Sequence, residues 1–170
     1  MLQGLRAARD AGVNVDGGVF ERGLNFLQNS TEKELGKPKD EQQLGALQTQ
    51  AYLAYILSAE HRLNTDDLKK WFDSIYERRG ELNNYGRALL ALALHNENRA
   101  AAAKTVLRNV LQFVERDDSN ETAWVRTPEN YWWFWWNNDI EANAWALKAL
   151  VTIDPQNELA PRLVKWLLNN

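Results

Sequence analysis

The sequence predicts an all-α fold of paired helices, and three observations carry that expectation. Apolar residues recur at helical spacing along most of the 170-residue chain, and the 9 Gly and 4 Pro fall mostly between the periodic stretches. The helices so delimited alternate between two kinds. One is small and apolar nearly all round, as in Ala51-Tyr-Leu-Ala54-Tyr-Ile-Leu57; the other has one apolar stripe and a charged back. A helix apolar all round is buried on most sides, so the first kind is inner and the second outer. Finally, the inner pattern repeats: Ala88 lies 37 residues after Ala51, a spacing that one helix hairpin fills.

Residues 1–11 read as an inner helix ending at Gly12. Asp16 is an N-cap for an outer helix over 17–29, with Val19, Phe20, Gly23, Leu24 and Leu27 on one face. Gly36-Lys37-Pro38-Lys39 is a connection. Asp40 and Gln43 have capping-box spacing and open an inner helix over about 44–60. Thr65 or Asp66 caps an outer helix over 65–78, whose Leu68, Trp71, Phe72, Ile75 and Tyr76 form the clearest amphipathic stripe; Gly80 ends it. An inner helix over 83–96 and an outer one over 99–116 come next. Residues 117–130 are polar and turn-rich. An inner helix over 139–153 and an outer one over 157–169 close the chain, separated at Asp154-Pro155 because the residue before proline avoids helical geometry. From Ala88 to Ala144 is 56 residues, and the excess over 37 falls on the segment with Trp124 and six consecutive aromatics, Tyr131 to Trp136. Four inner–outer hairpins with an aromatic insertion fit either an open solenoid or a segment of an α/α toroid. The uniformly apolar inner helices and the lack of 34-residue or ankyrin-type repeats favour the toroid. Glu121–Thr127 and Tyr131–Trp136 have strand-like content around Pro128-Glu129-Asn130. They predict an extended, hairpin-like excursion, with Trp145 as a neighbour of one aromatic face.

Composition narrows the chemistry. With 20 Lys+Arg against 23 Asp+Glu the net charge is -3, which argues against nucleic acid as a partner. There is no Cys, so disulfides, thiolate zinc sites and thiol nucleophiles are excluded. No stretch is long and apolar enough for a membrane span, and the residues after Met1 read as an amphipathic helix instead of a signal peptide. His61 and His95 each fall near the C-terminal end of an inner helix, where structural or surface roles suit them. Asp139 and Glu141 beside the aromatic run raise the prospect of a glycoside hydrolase. Two residues apart on a helix, however, they point to different faces, and acids at a helix start have a capping role, with Asn138 as the N-cap. Tyr131, Trp133 and Trp135 form one face of the extended run and are the candidates for an interface with another domain, with sugar or peptide binding as the other use. Asn29-Ser30-Thr31 and Asn120-Glu121-Thr122 match glycosylation sequons.

Several runs resemble the bacterial α2-macroglobulins. These are Ala8-Arg9-Asp10-Ala11-Gly12-Val13-Asn14-Val15-Asp16 with Phe20-Glu21-Arg22-Gly23-Leu24-Asn25-Phe26-Leu27, and Leu82-Asn83-Asn84-Tyr85-Gly86-Arg87 with Ala88 to Leu94. The strongest is Trp135-Trp136-Asn137-Asn138-Asp139-Ile140-Glu141-Ala142-Asn143-Ala144 through Leu147-Lys148-Ala149-Leu150 to Asp154-Pro155, and Leu163 to Asn170 also fits. The resemblance is to the thioester (complement-like) domain, an α/α toroid in that family. It implies a partial domain over 1–170 holding about four of six hairpins of a larger protein, which inhibits proteases by trapping. The family's thioester joins Cys and Gln of a Cys-x-x-Gln motif upstream of the part resembling 1–30, so a chain without Cys has no such chemistry, no catalytic residue and no cofactor of its own. The implied partners are other domains of the parent and, for the parent, target proteases. The implied location is periplasmic or secreted, with any membrane anchor on the parent chain. The alternative is a carbohydrate-binding or carbohydrate-active toroid that uses the aromatic run.

Overall fold

The computed structural model of the chain describes residues 2–127 and 139–170. Among the described residues the fold is all-α apart from one β-hairpin. Its helices are α1 (Leu2–Asp10), α2 (Gly17–Leu35), α3 (Leu47–Ala59), α4 (Asp66–Glu77), α5 (Asn84–Asn96), α6 (Ala100–Leu111), α7 (Asp139–Ile153) and α8 (Leu159–Asn169), with a 3-10 turn at Arg79–Glu81 after α4. Strands β1 (Val114–Asp117) and β2 (Thr122–Val125) lie between α6 and α7.

The inner layer is the row α3, α5, α7. Helix α5 packs on α3 at one side and α7 at the other, while α4, α6 and α8 lie behind. Ala51, Ala54, Ala88 and Ala91 are all 0% exposed, as the inner positions require. Small side chains there let α3 and α5 approach closely. The outer helices bury single stripes: Leu68, Trp71, Phe72 and Ile75 on α4, and Ala103, Val106, Leu107 and Val110 on α6. A buried polar bond ties α3 to α4, from Trp71 Nε1 to Gln50 Oε1 at 3.0 Å.

The inner helices α1, α3 and α5 end alike. In α3 the Arg62 N–H donates to the Leu57 carbonyl and the His61 N–H to Ser58, with His61 at φ 55°. In α5 Arg99 donates to Leu94 and Asn98 to His95, with Asn98 at φ 59°. The same bonds end α1, from Val13 to Ala8 and Gly12 to Arg9. This is the Schellman ending, in which a left-handed residue turns the chain sharply into the next helix. Matching positions in α3 and α5 are again 37 residues apart, so the repeat extends from the apolar face into the caps.

Five expectations are corrected. The helix over 17–29 runs on to Leu35, because Thr31 Oγ1 bonds back to the Leu27 carbonyl and Thr31 and Leu35 extend the inward stripe of Phe20, Leu24 and Leu27. The helix over 44–60 starts only at Leu47. Gly45 at φ +75° interrupts it, and the Gln43 N–H donates to Glu34 Oε2 instead of to Asp40, so no capping box forms at Asp40 and Gln43. The helix over 99–116 stops at Leu111, because Val114–Asp117 pairs antiparallel with β2. Helix α1 buries no residue, so it edges the inner layer without being core. Ala144, the expected counterpart of Ala51 and Ala88, is exposed, and Ala146 at 0% exposure takes the buried place.

Candidate functional site

The site begins with the hairpin that carries the chain toward the aromatic run. Asp117 organises its turn: its carboxylate accepts from the Ser119 and Asn120 N–H groups and from Asn120 Nδ2, which holds its carboxyl below the usual range, the Asn120 side chain contributing most. The strand-like content that the sequence predicts over 121–127 is borne out by β2, and the pairing of that strand with β1 is what the sequence does not predict. Strand β2 pairs with β1 across Asp118–Glu121, and the expected turn at 128–130 lies outside the described residues. On the outer side the hairpin meets α8. Trp124 stacks on Trp166 at 6.4 Å, and Arg116–Glu158, Arg162–Asp118 and Lys165–Glu121 form ion pairs at 3.0, 2.7 and 3.2 Å.

On the inner side two buried asparagines hold β2. Asn143 Oδ1 accepts from the Val125 N–H at 2.6 Å, and its Nδ2 donates to the Val125 carbonyl at 3.1 Å and to Asp139 at 2.8 Å. The amide thus does for Val125 what a neighbouring strand would, pairing both backbone groups in a ring. Asn84 Nδ2 donates to the next carbonyl, Arg126, at 3.0 Å. Arg87 steadies Asn84 through its Oδ1 and reaches the Arg79 and Gly80 carbonyls; burial pulls the Arg87 guanidinium below its ordinary pKa. A buried backbone group without a partner is costly, so these bonds fix where the chain leaves β2, across the first turns of α5 and α7.

Beside the clamp lies an aromatic patch. Trp145 of α7 meets Tyr55 edge-on at 5.2 Å and Tyr85 at 6.5 Å. Lys148 Nζ donates to the Tyr55 hydroxyl at 2.9 Å and sits over the rings of Trp145 and Tyr55 at 5.1 and 5.5 Å. A cation on a ring face is attracted by the ring's quadrupole. Burial, and after it the nearby Glu141 carboxylate, pushes the phenols of Tyr85 and Tyr52 above their ordinary pKa.

Of the residues the sequence singles out, Tyr131, Trp133 and Trp135 lie outside the described residues, as does Asn138. Trp145 packs on the tyrosines of α3 and α5. His61 and His95 are exposed, one in the turn after α3 and the other in the last turn of α5. Asp139 and Glu141 are exposed on the first turn of α7, and Glu141 faces the tyrosines. Among the described residues no group of three acids or histidines is placed to hold a metal ion, and no helix is long and apolar enough to cross a membrane. Sequence reasoning missed Asn84, Asn143 and Lys148. The two asparagines had a signal, being polar residues within otherwise apolar inner helices, where burial demands a partner. The chain matches no family model, no curated protein and no solved structure.

Proposed function

We propose that these residues are a segment of a larger bacterial protein of the α2-macroglobulin kind, which inhibits proteases by trapping them. The segment is a structural part, one domain over 1–170 and an arc of an α/α toroid, with no catalytic or thioester chemistry. Its parent is periplasmic or secreted. The observation that carries this reading is the ordered set of resemblances from Ala8 to Asn170, strongest between Trp135 and Pro155. The resembling runs fall in α1, α2, α5, α7 and α8, so they sample both layers of the fold. The asparagine clamp supports an interface role for the aromatic run: the chain that leads to Tyr131, Trp133 and Trp135 leaves a strand end held by three hydrogen bonds from two helices. We assign contact with the parent's other domains to these three aromatics.

Trapping has a distinctive readout, because an enclosed protease meets small substrates but not large ones. The natural polypeptide, isolated with an antibody to residues 1–170 and treated with a protease, should leave cleavage of a small chromogenic peptide intact and abolish cleavage of a protein substrate. The purified 170-residue chain should change neither rate, and methylamine should leave its mass unchanged. Stoichiometric inhibition by the chain alone would overturn the reading. Tight binding of a soluble polysaccharide by the chain would replace it with the carbohydrate alternative.

A further inference from the structure

Helix α1 packs weakly. It buries no residue, and two cavities border it. One, of about 280 Å³, is apolar and lies among Leu2 of α1, Gly23 and Leu27 of α2, and Tyr52, Leu53 and Ile56 of α3. The other, of about 370 Å³, is polar and separates Gln3, Arg6 and Asp10 from Tyr55 of α3, Asn96 of α5 and Lys148 of α7. Atoms that line a void lose the contacts that packing would give them.

Docking also strands polar atoms. Arg6 Nη1 and Gln3 Oε1 are buried away from water and have no hydrogen-bond partner among the described residues. A charged donor and an amide acceptor left in that state are costly, and detachment of α1 would hydrate both. Against this stand three contacts. Glu60, which caps α3, lies 3.0 Å from Arg9 Nη2 and 3.3 Å from Arg6 Nε. Leu2 and Leu5 are partly buried against the core. The Arg9 guanidinium sits over the Phe20 ring at 4.5 Å. The helix has little stability of its own, since nine residues are too few for an isolated helix in water. A Cβ at Gly4 would meet nothing within 4 Å, so glycine there answers no packing need and lowers helix propensity. The link to α2, Val13 to Asp16, has no regular structure, and Val13 is 57% exposed.

We propose that α1 is a strap, latched by Glu60, that detaches and melts as a unit while the other helices stay folded. The link over 13–16 is its pivot. Opening removes the wall that the two cavities share and uncovers the side of α3 that carries Tyr52, Leu53 and Ile56, so the strap controls access to that apolar face. The inference does not rest on the protease-trap reading.

The test is native-state hydrogen exchange on the 170-residue chain, read at the amides of Arg6 to Asp10 against the central amides of α5. The α1 amides are expected to exchange roughly a hundredfold faster or more. Raising salt from about 0.02 to about 0.5 M screens the Glu60 pairs and should speed α1 about threefold while leaving α5 unchanged. Glu60→Gln should speed α1 about five- to tenfold, and salt should then add little. Because Glu60 also caps α3, Arg9→Gln is the second variant and should act in the same direction by a smaller factor. A tether gives the converse. The chain has no Cys, and a Cβ on Gly23 would lie 2.7 Å from Leu2 Cδ2 and 3.5 Å from its Cγ, so a disulfide is within reach in the double variant Leu2→Cys, Gly23→Cys. Oxidation of that variant should slow α1 exchange about tenfold relative to its reduced form. The face beneath is read by Ile56→Cys, a position 4% exposed in the closed fold; its thiol should be alkylated faster when Glu60→Gln is added. The proposal is overturned if α1 exchanges as slowly as the centre of α5, if neither salt nor Glu60→Gln speeds it, if the oxidised bridge leaves it unchanged, or if alkylation at position 56 is insensitive to Glu60→Gln.

Discussion

Asn143 is the residue on which most depends locally. Fully buried, it satisfies both backbone groups of Val125. In Asn143→Asp the second oxygen would face the Val125 and Asp139 carbonyls where Nδ2 now donates. At neutral pH this should cost about 3–5 kcal/mol, as a buried charge without compensation does. Urea unfolding should show the deficit shrinking as pH falls and the carboxyl gains a proton to donate. Tyr85 carries a different pH dependence. Its phenol is raised above the ordinary value of 10.0 by burial and then by Glu141. The unfolded chain releases that proton near the ordinary value while the folded one keeps it. The stability it contributes is thus complete below pH 10.0 and lost as pH rises toward the folded value. Tyr85→Phe should flatten the fall of Tm on the alkaline side, with Tyr52 supplying a smaller remainder. His61 was legible as a residue at a helix end, and it is there. What the sequence could not show is that it occupies the left-handed position, since glycine is the usual signal. His61→Gly should therefore stabilise the chain by about 0.5–1 kcal/mol, by relieving the strain of φ 55°. A loss in chemical denaturation would mean that the imidazole contributes more than the strain costs.

At the scale of elements, the legible helices were those whose pattern depends only on their own sequence. The stripe of α4 and the caps at Asp16 and Thr65 fall where spacing and side-chain chemistry place them. The illegible parts depend on partners distant in sequence. Val114–Asp117 continues a helical pattern and becomes a strand because β2 supplies its hydrogen bonds and α8 a surface for the hairpin. The start of α3 is displaced because Gln42 and Gln43 bond back to the end of α2. Burial is also unequal among the elements. Helix α5 buries ten of its residues between Asn84 and Leu94, while α1 buries none. Local opening tracks that contrast. Hydrogen exchange should find the α1 amides the first to exchange and the central amides of α5 the last, protected to the level of global unfolding. Slow exchange throughout α1 would mean that it is held by more than the partly buried Leu2 and Leu5 and its ion pairs to Glu60.

For the whole molecule, two ends of one inner layer carry different features. At one end asparagines from α5 and α7 hold the strand that leads to the aromatic run. At the other, α1, α3, α5 and α7 surround a polar cavity. The alternation of inner and outer helices, the buried alanines and the 37-residue repeat were all readable, because layering requires one face pattern per helix. The hairpin on α8 and the cavity were not, because each is assembled from segments that meet only in the folded chain. Function at this scale rests on the proposal that these helices are an arc of something larger.

The most direct test is the size of the natural polypeptide that carries these residues. An antibody raised against the purified chain, used to blot periplasmic, secreted and membrane fractions of the source cells, reads it in one step. The expected band is several times larger than 19.6 kDa, and the same polypeptide should shield an added protease from protein substrates. A single band at 19.6 kDa with no larger species would contradict the account.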